Sequence, residues 1–239
     1  MPTQLVTQSI MARLRAETRP QHDATEAIPF SAAIVAGSLP LASYAAQLAA
    51  YVPVHVALEG AIASANHRAL AHVWDPGMRR VDLLRADLGA LGFAETSMPE
   101  STRAASHAFG AWIEEVARTD PVALLGILYV LEGSTLGGAF LRKHLAAAYS
   151  LTDAGLRYYS PYGSHPKPHW VAFSARMNEL DLTDAEADAV VEAASATFDR
   201  IGRILVSIGL SQSVGSARGR TRMREPRTTR VPGAIPSAS

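Results

Sequence analysis

Residues 121–149 read PVALLGILYVLEGSTLGGAFLRKHLAAAY, a helical pattern that carries glycines where helices ordinarily avoid them. At about 100° per residue, Gly126, Gly133 and Gly137 project within roughly 40° of one another, with Gly138 and Ser134 on the flank of the same face. An internal glycine costs a helix about 1 kcal/mol relative to alanine, so this segment gives up stability to present bare backbone on one side. Two readings of the stripe stand: a neighbouring helix packed backbone to backbone, or a flat, bulky ligand laid against it.

Outward from this segment the chain stays helical. Residues 41–65 place Leu41, Tyr44, Leu48, Val52, His55, Leu58 and Ile62 at helical spacing. Residues 181–209 start from a capping signature, Thr183 followed by Glu186. Further helices are expected at about 9–28, 77–92 and 100–118, with Pro-rich or Gly-rich breaks at 37–40, 75–77, 97–99 and 160–168. Alternating strand patterns and internal repeats are absent. Long helices joined by short breaks pack as an all-α, multi-helical bundle.

At 239 residues and 48% hydrophobic, the chain has enough apolar surface for one good-sized core in a single domain, expected over residues 9–210. Residues 1–8 are read as a flexible N-terminus. The absence of cysteine excludes disulfides and thiolate ligation and suits a reducing cytosol. No run approaches the roughly 20 uninterrupted apolar residues of a membrane span, and the N-terminus lacks a signal-peptide pattern, so a soluble cytoplasmic protein without membrane or nucleic-acid partners is expected. A formal net charge of zero hides an asymmetry: six of the 22 basic and one of the 22 acidic residues fall in 211–239, leaving a net −5 for residues 1–210. That basic tail, rich in Gly, Pro, Ser and Arg, has too little apolar surface to offset the entropy of ordering and is read as disordered.

In the first helix, Arg15, Arg19, His22 and Glu26 follow one another at spacings of 4, 3 and 4, which puts all four within about 60° on one face. The like-charged Arg15–Arg19 pair makes more sense if an external anion neutralises both. Glu26, one turn beyond His22, is placed to accept a hydrogen bond from the imidazole Nδ1–H and leave Nε2 free for a metal. An exposed polar face with an incidental histidine is the plain alternative. His55 and Glu59 repeat the i,i+4 arrangement, but no cation shares that face, and His55 reads as a core histidine satisfied by a neighbour. The pair His165 and His169 sits among prolines in an expected surface loop. A histidine face flanked by cations and a helix stripped of side chains describe two walls of a slot for a planar, dianionic, metal-containing disc, which is heme.

The stretches LRAETRPQHDATE at 14–26, YVLEGSTLGGAFL at 129–141 and YYSPYG at 158–163, with Trp170 and Phe173, resemble in that order the bacterial biliverdin-producing heme oxygenases, particularly those that supply chromophore to bacteriophytochromes. The resemblance extends over about residues 9–210 and includes the helix bearing Tyr51, His55, Leu58 and Glu59. It implies heme b as substrate and cofactor, sandwiched between a proximal and a distal helix. It implies His22 as axial ligand, Glu26 orienting it, Arg15 and Arg19 contacting propionates, and Tyr129 in the heme-binding set. Gly133, Gly137 and Gly138 are implied to line the distal helix over the iron. It further implies cleavage with O2 and external electrons to biliverdin, CO and iron, and a bacteriophytochrome that receives the biliverdin.

Three departures stand out. Where the animal branch carries a distal Asp that anchors a water network for protonating bound oxygen, this chain carries Ser134. Glu132 is turned away from the stripe, leaving Ser134, backbone carbonyls or an arginine from elsewhere, Arg79 or Arg80, to hold the water. Pro20 is tolerable within the first helical region if Thr18 caps a helix starting there and Gln21 completes a capping box. The prolines of SHPKPHW at 164–170 fit poorly with a regular helix. No GxGxxG fingerprint or other sign of a flavin or nicotinamide site is present, so electrons are expected from a separate ferredoxin, flavodoxin or reductase. A non-catalytic heme or bilin carrier of the same fold remains open; a di-iron oxidase does not fit, because no Glu in the chain has a His three residues on.

Overall fold

Helix starts in this chain are set largely by proline and by capping side chains, and they divide it more finely than periodicity alone suggests. A computed structural model describes residues 8–209. Among them lie α1 (Ile10–Glu17), α2 (Arg19–Glu26), α3 (Pro29–Val35), α4 (Leu41–Ser64), α5 (Arg68–Val73), α6 (Val81–Leu91), α7 (Glu100–Thr119), α8 (Leu124–Tyr149), α9 (Pro166–Asn178) and α10 (Asp184–Ile208). No strand is present among the described residues, so the fold is all-α as expected. Residues 1–7 of the expected flexible N-terminus and the whole basic tail lie outside the described residues.

Four long helices carry the core: α4 packs on α6 and α7, and α10 packs on α7 and α8. On α4, Tyr44, Leu48, Val52, Leu58 and Ile62 are buried as their spacing requires, while Leu41 sits at the exposed edge. The Ser106 hydroxyl of α7 donates to the Ala50 carbonyl of α4. One turn away, a Cβ on Gly110 would stand only 3.5 Å from the Pro53 carbonyl oxygen, so these two helices meet almost backbone to backbone. The capping box of α10 is present in both directions: the Glu186 N–H donates to Thr183 Oγ1 at 3.3 Å, and the Thr183 N–H donates to Glu186 Oε2 at 2.8 Å. By length and composition α4 and the 121–149 segment are apolar enough to cross a membrane, although neither is an uninterrupted apolar run. In the bundle 72% of the apolar window of α4 and 50% of that of the 121–149 segment are buried.

Two expectations are corrected. The region 9–28 is two helices, broken where Thr18 ends α1 and precedes α2, and the Thr18 hydroxyl donates back to the Leu14 carbonyl at 2.7 Å. It therefore closes α1 and makes no side-chain cap on α2, and the capping box with Gln21 does not form; the Gln21 Oε1 is buried without a partner among the described residues. Pro20 is accommodated because it stands in the first turn of α2, where its missing N–H has no intrahelical acceptor. The same principle shortens the expected break at 160–168: residues 160–165 are non-helical as expected, but α9 begins at Pro166, with Pro166 and Pro168 in its first turn, so His169 is helical and lies flat on the Tyr162 ring at 3.8 Å. The short helices α3 and α5 have too few turns to give a periodic signal.

Candidate functional site

A cavity of about 560 Å³ lies between α1–α2 on one side and α8 on the other, with α4 at its base and α10 along its flank. Its lining includes Arg15, Arg19, His22, Glu26, Tyr129, Gly133, Ser134, Gly137 and Gly138, so the structure gathers every expected site residue around one space. A volume of this size falls in the range of small-molecule and cofactor pockets.

On the α1–α2 wall, the break at Thr18 lets α2 turn His22 toward α10, where the imidazole meets the Phe198 ring edge-on at 5.7 Å. The His22 side chain is 45% exposed, its Nδ1 is 3.4 Å from Asp23, and its Nε2 is 3.6 Å from Glu26, longer than a hydrogen bond. The expected pairing of Glu26 with Nδ1 is therefore not seen, and Asp23 is the nearer carboxylate. Arg19 is met by Asp23 at 2.8 Å, a partner that lies outside the 15–19–22–26 face. Arg15 makes no ion pair among the described residues and stands close enough to Tyr129 for its charge to counter, in part, the effect of burial on that phenol. Of the two expected anion contacts, Arg15 is the one left with an uncompensated charge.

On the α8 wall the glycines divide by role. A Cβ on Gly126 would fall 2.0 Å from the Val190 carbonyl oxygen and 2.8 Å from the Ala194 nitrogen, so this glycine exists to let α8 lie against α10. Gly126 does not line the cavity. A Cβ on Gly133 would stand 3.3 Å from the Trp170 ring, and one on Gly138 would stand 3.1 Å from the Tyr159 carbonyl oxygen. Only Gly137 of the stripe faces nothing within 4 Å. The Ser134 hydroxyl donates to the Leu131 carbonyl at 2.6 Å and the Thr135 hydroxyl to the Glu132 carbonyl at 2.7 Å, so both hydroxyl hydrogens are spent on their own helix.

The polar base of the cavity is formed by Arg80, one of the two arginines considered from the sequence, and by residues that were not assigned to the site. Gln47, Tyr51 and His55 of α4, Arg80 before α6, and Tyr158 and Tyr159 before α9 all line the cavity. The Tyr159 hydroxyl donates to Gln47 Oε1 at 2.8 Å. Arg80 is 3% exposed, and its Nη2 donates to Glu132 at 2.9 Å and to the Tyr162 hydroxyl at 3.0 Å. Of the two arginines considered, Arg80 is the buried, cavity-lining one and Arg79 is exposed. Glu59 accepts from the Arg80 and Val81 N–H groups at 2.7 and 3.1 Å, so it caps the start of α6 and leaves His55 alone.

His55 is buried as expected, yet it belongs to the cavity wall, with the Tyr158 hydroxyl 3.5 Å from Nε2. Burial, aided by the nearby Arg80 charge, pushes its pKa down to about 3, so the ring is neutral throughout the physiological range. The unfolded chain binds a proton at His55 below about pH 6.5 and the folded chain does not, so the stability this site contributes is present above pH 6.5 and drains away toward pH 3. At about 1.4 kcal/mol per pH unit, roughly 2 kcal/mol is lost between pH 6.5 and 5 on this account. Urea unfolding of the wild type at pH 7.5 and 5.0 is expected to show that loss, and His55→Gln is expected to lack that portion of it.

A family model described as heme oxygenase matches residues 8–206. The chain is 25% identical over 193 residues to heme oxygenase 1 of the cyanobacterium Synechocystis sp., covering 80% of each protein. It is 31% identical over 143 residues to the heme oxygenase PigA of Pseudomonas aeruginosa, covering 59% of this chain and 66% of that one. The crystal structure of the Synechocystis enzyme in complex with heme superposes with a TM-score of 0.76 at 24% identity, over 83% of this chain and 91% of that one. The helical order, the two-walled cavity and the span of the family match agree: this chain belongs to the heme oxygenase family.

Proposed function

We infer that the protein is a heme oxygenase that takes heme into this cavity, with His22 as the axial ligand, and cleaves it to biliverdin. The observation that carries the reading is the opposition, across one 560 Å³ space, of a half-exposed imidazole and a helix wall whose Gly137 faces nothing within 4 Å. The residues present fit such a guest. Arg15 has an uncompensated charge for a propionate, Phe198, Ile201, Leu205, Leu136 and Leu141 supply apolar lining, and no thiolate competes for the iron.

Heme supplies both the iron at which O2 is reduced and the porphyrin ring that is oxidised. The chain's part is to hold and orient it. His22 would hold the iron through an imidazole nitrogen, and Asp23, the carboxylate nearer Nδ1, is placed to orient the ring and leave Nε2 for the metal. Arg15, with Arg19 at the mouth, pairs with the ring's carboxylates and so fixes its rotation in the slot. Gly133, Gly137 and Gly138 keep Cβ atoms off the opposite wall, which would let the flat ring lie close to the α8 backbone. Electrons come from a separate protein of the ferredoxin, flavodoxin or reductase kind, CO and iron leave with the biliverdin, and a bacteriophytochrome is its acceptor in this reading. The cysteine-free composition suits the cytoplasm.

Adding hemin to the purified protein is expected to produce the Soret band of a His-ligated complex. Reductant and oxygen should then replace it with verdin absorption. The carrier reading is favoured by the absence of a carboxylate on the cavity face of α8 and by the engaged Ser134 hydroxyl. It predicts instead a Soret band that persists through reduction and oxygenation, and a protein that produces no Soret shift is neither.

A further inference from the structure

We propose that Trp170, on α9, is the stop against which the flat ring seats in the slot, and that it thereby decides which of the ring's four meso carbons is opened. The proposal rests on the heme oxygenase reading of the cavity and names the residue that sets the regiochemistry of that reaction.

The stripe on α8 is bare of side chains without being open along its length. Trp170 lines the cavity, and the outer atoms of its six-membered ring, Cη2 and Cζ3, stand 3.3 and 3.4 Å from where a Gly133 Cβ would be. The indole therefore meets α8 end-on and takes up the room that Gly133 leaves. On the far side the Tyr159 carbonyl oxygen lies 3.1 Å from the Gly138 position, so the open turn at Gly137 is framed by a side chain before it and a backbone after it. About 6 Å of helix separates Gly133 from Gly137, and a four-pyrrole ring laid on Gly137 is wide enough to reach the indole. Trp170 is well braced for that contact. It stacks on Phe173 at 5.4 Å and leans on Tyr129 at 5.7 Å, and Phe173 is fully buried. The helix that carries it packs on both α1 and α8, with the Met11 N–H donating to Asn178 Oδ1 at 3.3 Å. Swinging the indole aside would break this aromatic packing. Arg15 and Arg19 offer no comparable stop, since a long side chain with several rotors can follow a carboxylate through a range of positions. The ring is nearly square in outline, so a quarter turn presents a different meso carbon at the same place, and a rigid edge is what distinguishes those placements.

The test compares wild type with Trp170→Ala and Trp170→Phe, the second of which keeps an aromatic ring beside Phe173 and Tyr129 but is too short to cover Gly133. Proton resonances of the ring methyls in the cyanide complex of the hemin-loaded protein read the seating of the ring independently of turnover. Wild type is expected to show one dominant set, Trp170→Ala a second set of comparable intensity, and Trp170→Phe the same change in weaker form. Chromatography of the biliverdin isomers is expected to show the ratio of the main to the second isomer falling at least about tenfold in Trp170→Ala, within the 10- to 200-fold discrimination that a single apolar pocket group supplies. The Soret spectrum and the melting temperature of the ligand-free variants certify ligation and fold; should the alanine variant fail to fold, the phenylalanine variant decides on the same two readouts. A folded variant that keeps the wild-type methyl pattern and isomer ratio overturns the proposal, as does a wild type that already seats hemin in several ways. If wild type binds hemin without opening it, the enzyme reading falls and the regiochemical claim with it; if wild type turns over and only the Trp170 pattern fails, the enzyme reading stands.

Discussion

His22→Ala is expected to remove the His-ligated Soret spectrum from the hemin complex and to reduce verdin formation by at least about 100-fold, because altering groups that merely orient a metal-bound histidine already costs 10- to 100-fold. The fold should not suffer. The His22 side chain is 45% exposed and its neighbours Asp23 and Glu26 are surface carboxylates, so the melting temperature of the ligand-free protein should stay close to wild type. That separation makes the result chemical and not structural. External imidazole, small enough for the space the substitution leaves, is expected to restore part of the ligated spectrum. His55→Leu supplies the contrast: it should retain the ligated ferric spectrum, since His55 stands on α4 and away from the α1–α2 wall. If the two variants exchange behaviours, the axial ligand lies on α4 and the assignment of the two walls is reversed. Among the carboxylates, Asp23→Asn is expected to weaken hemin binding more than Glu26→Gln, since Asp23 lies closer to the ring and also holds Arg19.

How much of this was legible in the sequence depends on whether a signal is local. The capping box at Thr183–Glu186 and the spacing of Tyr44, Leu48 and Val52 are one-helix properties, and they placed α10 and α4 to within a few residues. Prolines misled in both directions at once. The same local rule, that a first-turn N–H is free anyway, explains Pro20 in α2 and Pro166 and Pro168 in α9, but without a known helix start it cannot be applied. His22, Arg15 and Arg19 were found because their spacing puts them on one helical face, and they line one cavity although the chain breaks between α1 and α2 at Thr18. Arg80 and Tyr158 could not be found that way: they are 78 residues apart, and only the packing of α4 against α6 and of the 150–165 segment beneath α8 brings them together around His55. Sequence spacing put His55 on an apolar stripe, which was correct. That the stripe borders a cavity depends on a distant tyrosine and is invisible from α4 alone.

Gly126 and Gly137, indistinguishable in the helical projection, are expected to respond to alanine with opposite signs. In Gly126→Ala the new methyl would sit 2.0 Å from the Val190 carbonyl oxygen and 3.0 Å from its carbon, positions only a shift of one helix backbone can relieve. Neither obstacle is a flexible side chain. Displacing α10 from α8 also disturbs the packing of Val190, Ala194 and Thr197, all fully buried. A loss of at least about 4 kcal/mol is expected, beyond ordinary overpacking, and on the order of 10 °C in melting temperature for a domain of this size. In Gly137→Ala the methyl enters open space, and replacing an internal helical glycine should leave the ligand-free protein unchanged or stabilise it by up to about 1 kcal/mol. The same methyl then stands where the flat ligand must lie, so hemin affinity and verdin formation should fall although the apoprotein melts no earlier. Thermal melts with and without hemin read both effects in one experiment. A Gly137→Ala protein that gains as much from hemin as wild type does would mean the ligand lies away from this turn of α8. An early-melting Gly137→Ala protein would mean that the stripe serves helix packing along its whole length. Only the divergence of the two positions supports a helix that spends one glycine on its neighbour and another on its guest.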